Sequence, residues 1–202
     1  MEKKEILQRF GITELQGANF QKYLDLLTEY NSHTNLVGKS TIADQWNTHI
    51  LDSLQISSFI ENKNLSILDM GTGAGFPGSV LSMAGFRNVT LIDSNGKKIN
   101  FLEQSKKILN LNIEIIYDRI ENLKNNKYDI VTSRALASLS KLLSYSQKFL
   151  KKNTVLVFLK GKTVNEEIIK AKQKWTFNLT THQSSSDSRG SVIVLKDIKK
   201  ND

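Results

Sequence analysis

Residues 67–78 read Ile-Leu-Asp-Met-Gly-Thr-Gly-Ala-Gly-Phe-Pro-Gly, so Gly71, Gly73 and Gly75 alternate just behind an apolar run that carries Asp69 near its end. About twenty residues on, a second apolar run, Val89-Thr-Leu-Ile, stops on Asp93. Glycine lets a backbone turn tightly and lets a ligand approach it, while a carboxylate at the next strand tip can hold both hydroxyls of a ribose. Together these residues describe a nucleoside cofactor lying across the carboxyl edge of a parallel sheet. Three alternate glycines exceed what a ligand-free strand-to-helix turn needs.

Gly73-Ala-Gly-Phe-Pro-Gly78 also matches the dinucleotide fingerprint by letter, with Asp93 at the expected distance. The register argues against a dinucleotide. Gly71 follows the strand at once, and a carboxylate at Asp69 would repel a pyrophosphate beside the loop. S-adenosylmethionine has no phosphate and carries a sulfonium and an ammonium, for which Asp69 is a sensible neighbour. Two structural alternatives stay open: Asp69 bonding only loop amides, and Asp93 or Ser94 capping the next helix. Pro77 suits the first turn of that helix.

The elements that must position these residues alternate. Strands are expected over 66–70, 89–93, 113–117, 128–132 and 155–160, then 177–182 and 192–195. Helices are expected over 77–84, 96–110, 138–150 and 164–174. Strand–helix alternation with buried-type strands means an α/β fold, a mostly parallel sheet covered on both faces. The last two strands have only a polar loop between them and should pair antiparallel. Phe20, Tyr23, Leu24, Leu27 and Tyr30 fall at helical spacing over 17–30, and another helix is expected over 42–60. Residues 1–64 then form a helical cap and 65–202 the α/β core, as one compact unit.

Composition narrows the class. The chain has no cysteine, hence no disulfide framework or thiolate metal site, and no apolar run of membrane-spanning length. The N-terminus does not read as a signal peptide, and a cytoplasmic protein is expected. The net charge of +8 comes from 28 basic residues, of which 23 are lysine and five arginine. A solvated lysine surface and a polyanion footprint explain that excess equally well.

Beyond the glycine loop, the chain carries Tyr30-Asn31, Asn35-Leu36, His49-Ile-Leu-Asp-Ser-Leu54, Asp93-Ser94, Gly96-Lys-Lys98 and Phe101-Leu102. It continues with Arg119-Ile-Glu121, Ser133-Arg-Ala-Leu-Ala-Ser-Leu139 and Leu159-Lys-Gly161. In this order and spacing, over roughly residues 20 to 196, the sequence resembles the bacterial small-subunit ribosomal RNA guanine-N7 methyltransferases, also called glucose-inhibited division protein B. The resemblance implies a Rossmann-like class I methyltransferase that uses S-adenosylmethionine and releases S-adenosylhomocysteine. Its substrate would be a guanine in the decoding region of 16S ribosomal RNA, and its partner the small ribosomal subunit. Cofactor contacts carry over to Gly71, Phe76, Ile120, Glu121 and Arg134, beside Gly73 and Asp93 from the loop argument. The family commonly has arginine where this chain has Thr48, proline at Ala74 and threonine at Val37.

Guanine N7 has a lone pair and no proton, so its methylation needs no general base, only in-line positioning and exclusion of water. No catalytic triad or metal site is expected. Arg134 is the expected catalytic residue, able to reach a methionine carboxylate, guanine O6 or a phosphate. Lys160 and Arg189 are candidate phosphate contacts. His49 is read either as a substrate contact or as a packing residue linked to Asp52, and His33 and His182 as surface residues. N7 cannot be reached within an A-form helix, so the target base must be unpaired or turned out. A small-molecule methyltransferase and a non-catalytic assembly factor are the alternatives, and nothing demands more than a monomer.

Overall fold

The computed structural model describes residues 1–201. Seven strands form one sheet: β1 (Ser66–Met70), β2 (Asn88–Asp93), β3 (Ile113–Tyr117), β4 (Ile130–Arg134), β5 (Val155–Lys160), β6 (Trp175–Gln183) and β7 (Ser191–Lys200). Their order is β3-β2-β1-β4-β5-β7-β6. The first five run parallel, and β7 enters antiparallel between β5 and β6. The chain winds outward from β1 through β2 and β3, then returns to its other side with β4. A crevice therefore opens at the carboxyl ends of β1 and β4, where ligands of such Rossmann-like sheets bind.

The helices are α1 (Lys3–Arg9), α2 (Glu14–Thr34), α3 (Asp52–Leu54), α4 (Gly78–Met83), α5 (Gly96–Leu109), α6 (Leu139–Ser146) and α7 (Val164–Lys172). Strand alternation divides the core between the two sheet faces. Ile67 and Ile130 pack with α2, α4 and α5, whereas Leu68, Met70 and Val131 pack with α6 and α7. The amphipathic α2 runs from a Thr13–Gln16 capping box to Asn35 in left-handed geometry. It buries Phe20, Tyr23, Leu24 and Leu27 on the side that packs against α4 and α5. α1, absent from the sequence expectation, is seven residues long with only Ile6 fully buried.

Two elements differ from expectation in ways that matter to the site. β4 begins and ends two residues later than its apolar run. Tyr128 and Asp129 instead bond outside the ladder to Phe149 and Ser66, while Ser133 and Arg134 pair with Phe158 and Leu159. Arg134 is thereby a strand residue, on the same face as Ile130 and Thr132. The expected helix over 42–60 is broken into a wide π turn at Trp46–Leu51, the short α3 and a 3-10 turn at Gln55–Phe59. Thr48, Ser53 and Ser57 each donate a hydroxyl to a carbonyl three or four residues back, which competes with a regular helical ladder.

Candidate active site

A cavity of about 540 Å³ lies at the switch point. Gly71, Gly73, Phe76, Asp93, Ile120, Glu121 and Arg134 all line it, from four separate strand ends. Leu36, Val37, Lys98, Leu136 and Tyr145 also line it, and none of them had an expected place at the cofactor. They come from the end of α2, from α5, from the loop after β4 and from α6, and no local pattern marks them as facing a ligand.

The glycines divide by task. All three of the alternate set have positive φ, +63° at Gly71 and Gly73 and +83° at Gly75. At Gly73 an added Cβ would meet only Lys98 Nζ, 3.7 Å away, so this backbone stands open to the cavity. At Gly71 it would meet Leu136 Cδ1 at 2.5 Å. At Gly75 it would collide with Tyr23 Oη and Ser79 Oγ, because α2 docks there through Tyr23, whose hydroxyl donates to Ala74 O at 2.8 Å. Gly75 therefore serves packing rather than a ligand.

Asp93 is almost buried at the tip of β2. Its Oδ2 accepts from Gly73 N at 2.9 Å and its Oδ1 from Asn95 N at 2.9 Å, with Lys98 Nζ 3.8 Å away. A carboxylate has about four lone-pair directions, so capacity remains for ribose hydroxyls. It is not a helix cap; Asn95 caps α5, accepting from Lys97 N and Lys98 N, and Ser94 does not. Ile120 and Glu121 sit in a single turn after β3, and Glu121's own backbone amide holds its carboxyl below the usual range.

Asp69 does not face the cavity, contrary to its expected role beside the sulfonium. Alternation on β1 turns it to the Ile67 side, beneath the loop, where it is fully buried. Its Oδ2 accepts from Thr72 Oγ1 at 2.5 Å and from Gly78 N, the first amide of α4, at 2.9 Å. Burial pushes its carboxyl up to about 6 against the lowering effect of those two bonds. The exclusion of a pyrophosphate survives by a different route. Such a group binds free amides at a helix N-terminus; here Gly78 N is held by Asp69 and Gly73 N by Asp93.

Arg134 reaches back to residues 48–52. Its Nη1 donates to Thr48 O at 2.9 Å and to Asp52 Oδ2 at 3.2 Å, and its Nη2 lies 3.2 Å from His49 Nδ1. The guanidinium also lies over the Phe76 ring, 4.9 Å from its centre, and His49 stacks on the same ring at 4.5 Å. Phe76 is thus enclosed, and only its main chain is left for a ligand. His49 is buried; burial and the Arg134 charge hold its imidazole down at about 3. The neutral ring accepts from Arg134 at Nδ1, so Nε2 carries the proton and donates to Thr41 Oγ1 at 3.0 Å. His49 is a packing residue linked to Arg134, one step removed from Asp52.

Lys160 is not free to meet a phosphate. Its Nζ, nearly buried, contacts Glu167 at 2.6 Å and donates to Ala137 O at 2.9 Å. Arg189 is exposed and paired with Asp187 at 3.4 Å. His33 is exposed at the end of α2; His182, on the outer strand β6, leans on Phe59. A larger cavity, about 730 Å³, lies beyond Arg134, Ala135 and Leu136, which line both cavities. Among the described residues, no group of three or more potential metal ligands occurs and no helix is long and apolar enough to cross a membrane.

The family model of rRNA small subunit methyltransferase G, GidB, matches residues 16–192. The ribosomal RNA small subunit methyltransferase G of Orientia tsutsugamushi (strain Boryong) is 44% identical over 177 residues, 88% of this chain and 88% of that protein. The protein of the same name from Rickettsia typhi is 38% identical over 196 residues, 97% of this chain and 96% of that one. Among solved structures, a SAM dependent methyltransferase from Aquifex aeolicus aligns with a TM-score of 0.60 at 19% identity, covering 77% of this chain and 95% of that chain. At that identity the likeness concerns the fold.

Proposed function

The chain belongs to the rRNA small subunit methyltransferase G family, and from that membership and the cavity's geometry we propose that it methylates N7 of a guanine in the decoding region of 16S ribosomal RNA. What carries the assignment is the convergence of Gly71, Gly73, Asp93, Ile120, Glu121 and Arg134 on one cavity at the switch point of the sheet. The cavity fits a nucleoside better than a pyrophosphate, because the amides of Gly73 and Gly78 are already held by Asp93 and Asp69. Bound S-adenosylmethionine supplies an electrophilic methyl group on a sulfonium.

The chain's own residues then bind and orient. Asp93 accepts from the ribose hydroxyls with the lone pairs that Gly73 and Asn95 leave free. Main chain at Gly71 meets the methionine portion, and the Ile120–Glu121 turn meets the adenine edge. Arg134, at the wall common to both cavities, is placed to donate to guanine O6, the atom beside N7. N7 has no proton to lose, and the histidine nearest the site is neutral with both ring nitrogens engaged. No general base is required, so the contribution of the chain is alignment in a dry site.

The test uses purified protein, radiolabelled S-adenosylmethionine and small subunits from cells lacking the gene. Label should enter the RNA at a position cleaved by borohydride and aniline, the signature of N7-methylguanine. Label at a site resistant to that treatment would refute N7. Cofactor binding without any RNA label would leave a non-catalytic or small-molecule role.

A further inference from the structure

The His49-to-Leu54 block, so specific in sequence, contributes nothing to the wall of the smaller cavity. Its Asp52 instead sits where three distant segments meet. Asp52 Oδ2 accepts from Arg134 at the end of β4. Oδ1 accepts from Ser186 Oγ, in the β6–β7 turn, at 2.5 Å and from Gln55 Nε2 at 2.9 Å. Gln55 in turn donates to Ser184 Oγ at 3.1 Å and accepts from Ser185 N at 2.8 Å. Apart from one bond from Arg9 to Ser185 Oγ, these polar ties between the cap and the Ser184–Ser186 turn all involve Asp52 or the side chain it orients.

Stability is a poor explanation for this arrangement. The Arg134 and Asp52 side chains keep 19% and 17% exposure. For a largely desolvated pair of this kind, desolvation offsets much of the attraction. What the pair does accomplish is geometric. Asp52, Arg134, Ser184 and Ser186 all line the larger cavity, which is of nucleotide size and shares the Arg134–Leu136 wall with the smaller one. A guanine whose N7 faces the shared wall turns N1–H and the 2-amino group away from it, toward a lining rich in hydroxyl and carboxylate acceptors.

We propose that Asp52 is the positioning residue of the acceptor site, holding Arg134 and the Ser184–Ser186 turn as walls of the larger cavity, which receives the target nucleotide. The inference rests on the RNA-methyltransferase assignment only for the identity of the acceptor. Asp52→Asn loses the charge that fixes Arg134. It leaves one acceptor oxygen where two served Arg134 on one side and Ser186 and Gln55 on the other, so the turn and the arginine compete for it. Amide exchange at Ser185 and Ser186 should rise about tenfold in this variant while β4 and β5 stay protected. Cofactor affinity, measured by calorimetry, should stay within about twofold of wild type, while kcat/KM for small-subunit RNA falls by at least about tenfold. Asp52→Glu should restore part of that loss. Ser186→Ala, which removes only the turn's contact, should raise KM for RNA severalfold with kcat nearly unchanged. Wild-type exchange rates in Asp52→Asn, or cofactor affinity lost in step with activity, would overturn the proposal. If wild-type protein labels no RNA, the functional assignment fails, and the exchange contrast still decides the role of Asp52.

Discussion

Asp69→Asn should make this protein more stable at neutral and alkaline pH, although it removes a carboxylate from the strand that leads into the glycine loop. Asp69 is fully buried, with Oδ2 taking two hydrogen bonds and Oδ1 without any partner. Burial lifts its carboxyl from 3.8 to about 6. The folded state therefore takes up a proton between those values while the unfolded chain does not. Stability from this group is lowest above pH 6 and rises as pH falls toward 3.8. The shift of about two units, at 1.36 kcal/mol each, makes the ionised carboxylate cost about 3 kcal/mol near pH 8. Asparagine keeps one oxygen for Thr72 and Gly78 and places an amide where the orphan oxygen stood, with Thr132 as its register partner on β4. Because the two bonds lose their charge assistance, the expected gain is about 1–3 kcal/mol near pH 8, shrinking to nothing near pH 4. Urea denaturation of cofactor-free protein across that range, with unchanged m-values, measures it directly. A variant less stable than wild type near pH 8, or a difference independent of pH, would refute the account of Asp69 as a desolvated clamp.

His49 carries the opposite sign: its folded pKa is depressed from 6.5 to about 3, so its stabilising contribution is lost as pH falls through that window. His49→Gln should flatten the acid limb of the stability profile, a difference of about 2 kcal/mol between pH 7 and 5 in paired urea titrations. Asp93→Ala should weaken cofactor binding by about 1–3 kcal/mol in calorimetry, and unchanged affinity would remove its ribose role. Both Gly73→Ala and Gly75→Ala carry a left-handed strain of about 1–2 kcal/mol. Only Gly75→Ala adds overpacking against Tyr23 and Ser79, about 1–3 kcal/mol more, so thermal melts should separate them while Gly73→Ala shows the greater loss of cofactor affinity relative to stability. Arg134→Lys keeps the charge but loses the fork, and single-turnover methyl transfer should fall at least about tenfold with cofactor still bound.

Much of the cofactor cavity was legible in sequence because its chemistry lies at strand ends, where apolar runs stop and glycine or carboxylate begins. The runs at 66–70, 113–117 and 155–160 coincide with observed strands, since buried parallel strands advertise themselves by composition. Legibility failed where hydrogen bonding rather than hydropathy sets the boundary. β4 starts late because Asp129 ties itself to Ser66. The expected second cap helix breaks up along a stretch whose hydroxyls bond back to its carbonyls.

The sequence by itself determined the sheet, the glycine turn, the carboxylate at Asp93 and the family, because these depend on local composition, short spacing and order along the chain. Only the tertiary structure decided which way each polar side chain faces. Asp69 and Asp93 look alike as strand-end carboxylates, yet one is sealed beneath the loop and the other opens to the cavity. Arg134 and Lys160 look alike as basic residues at strand ends, yet one joins two cavities and the other is held by Glu167. Some of the deciding partners are near in sequence, Thr72 and Gly78 for Asp69 and Glu167 for Lys160. Others lie more than eighty residues away, Thr48, His49 and Asp52 for Arg134. In each case the role is acquired only when the fold brings them within hydrogen-bond distance.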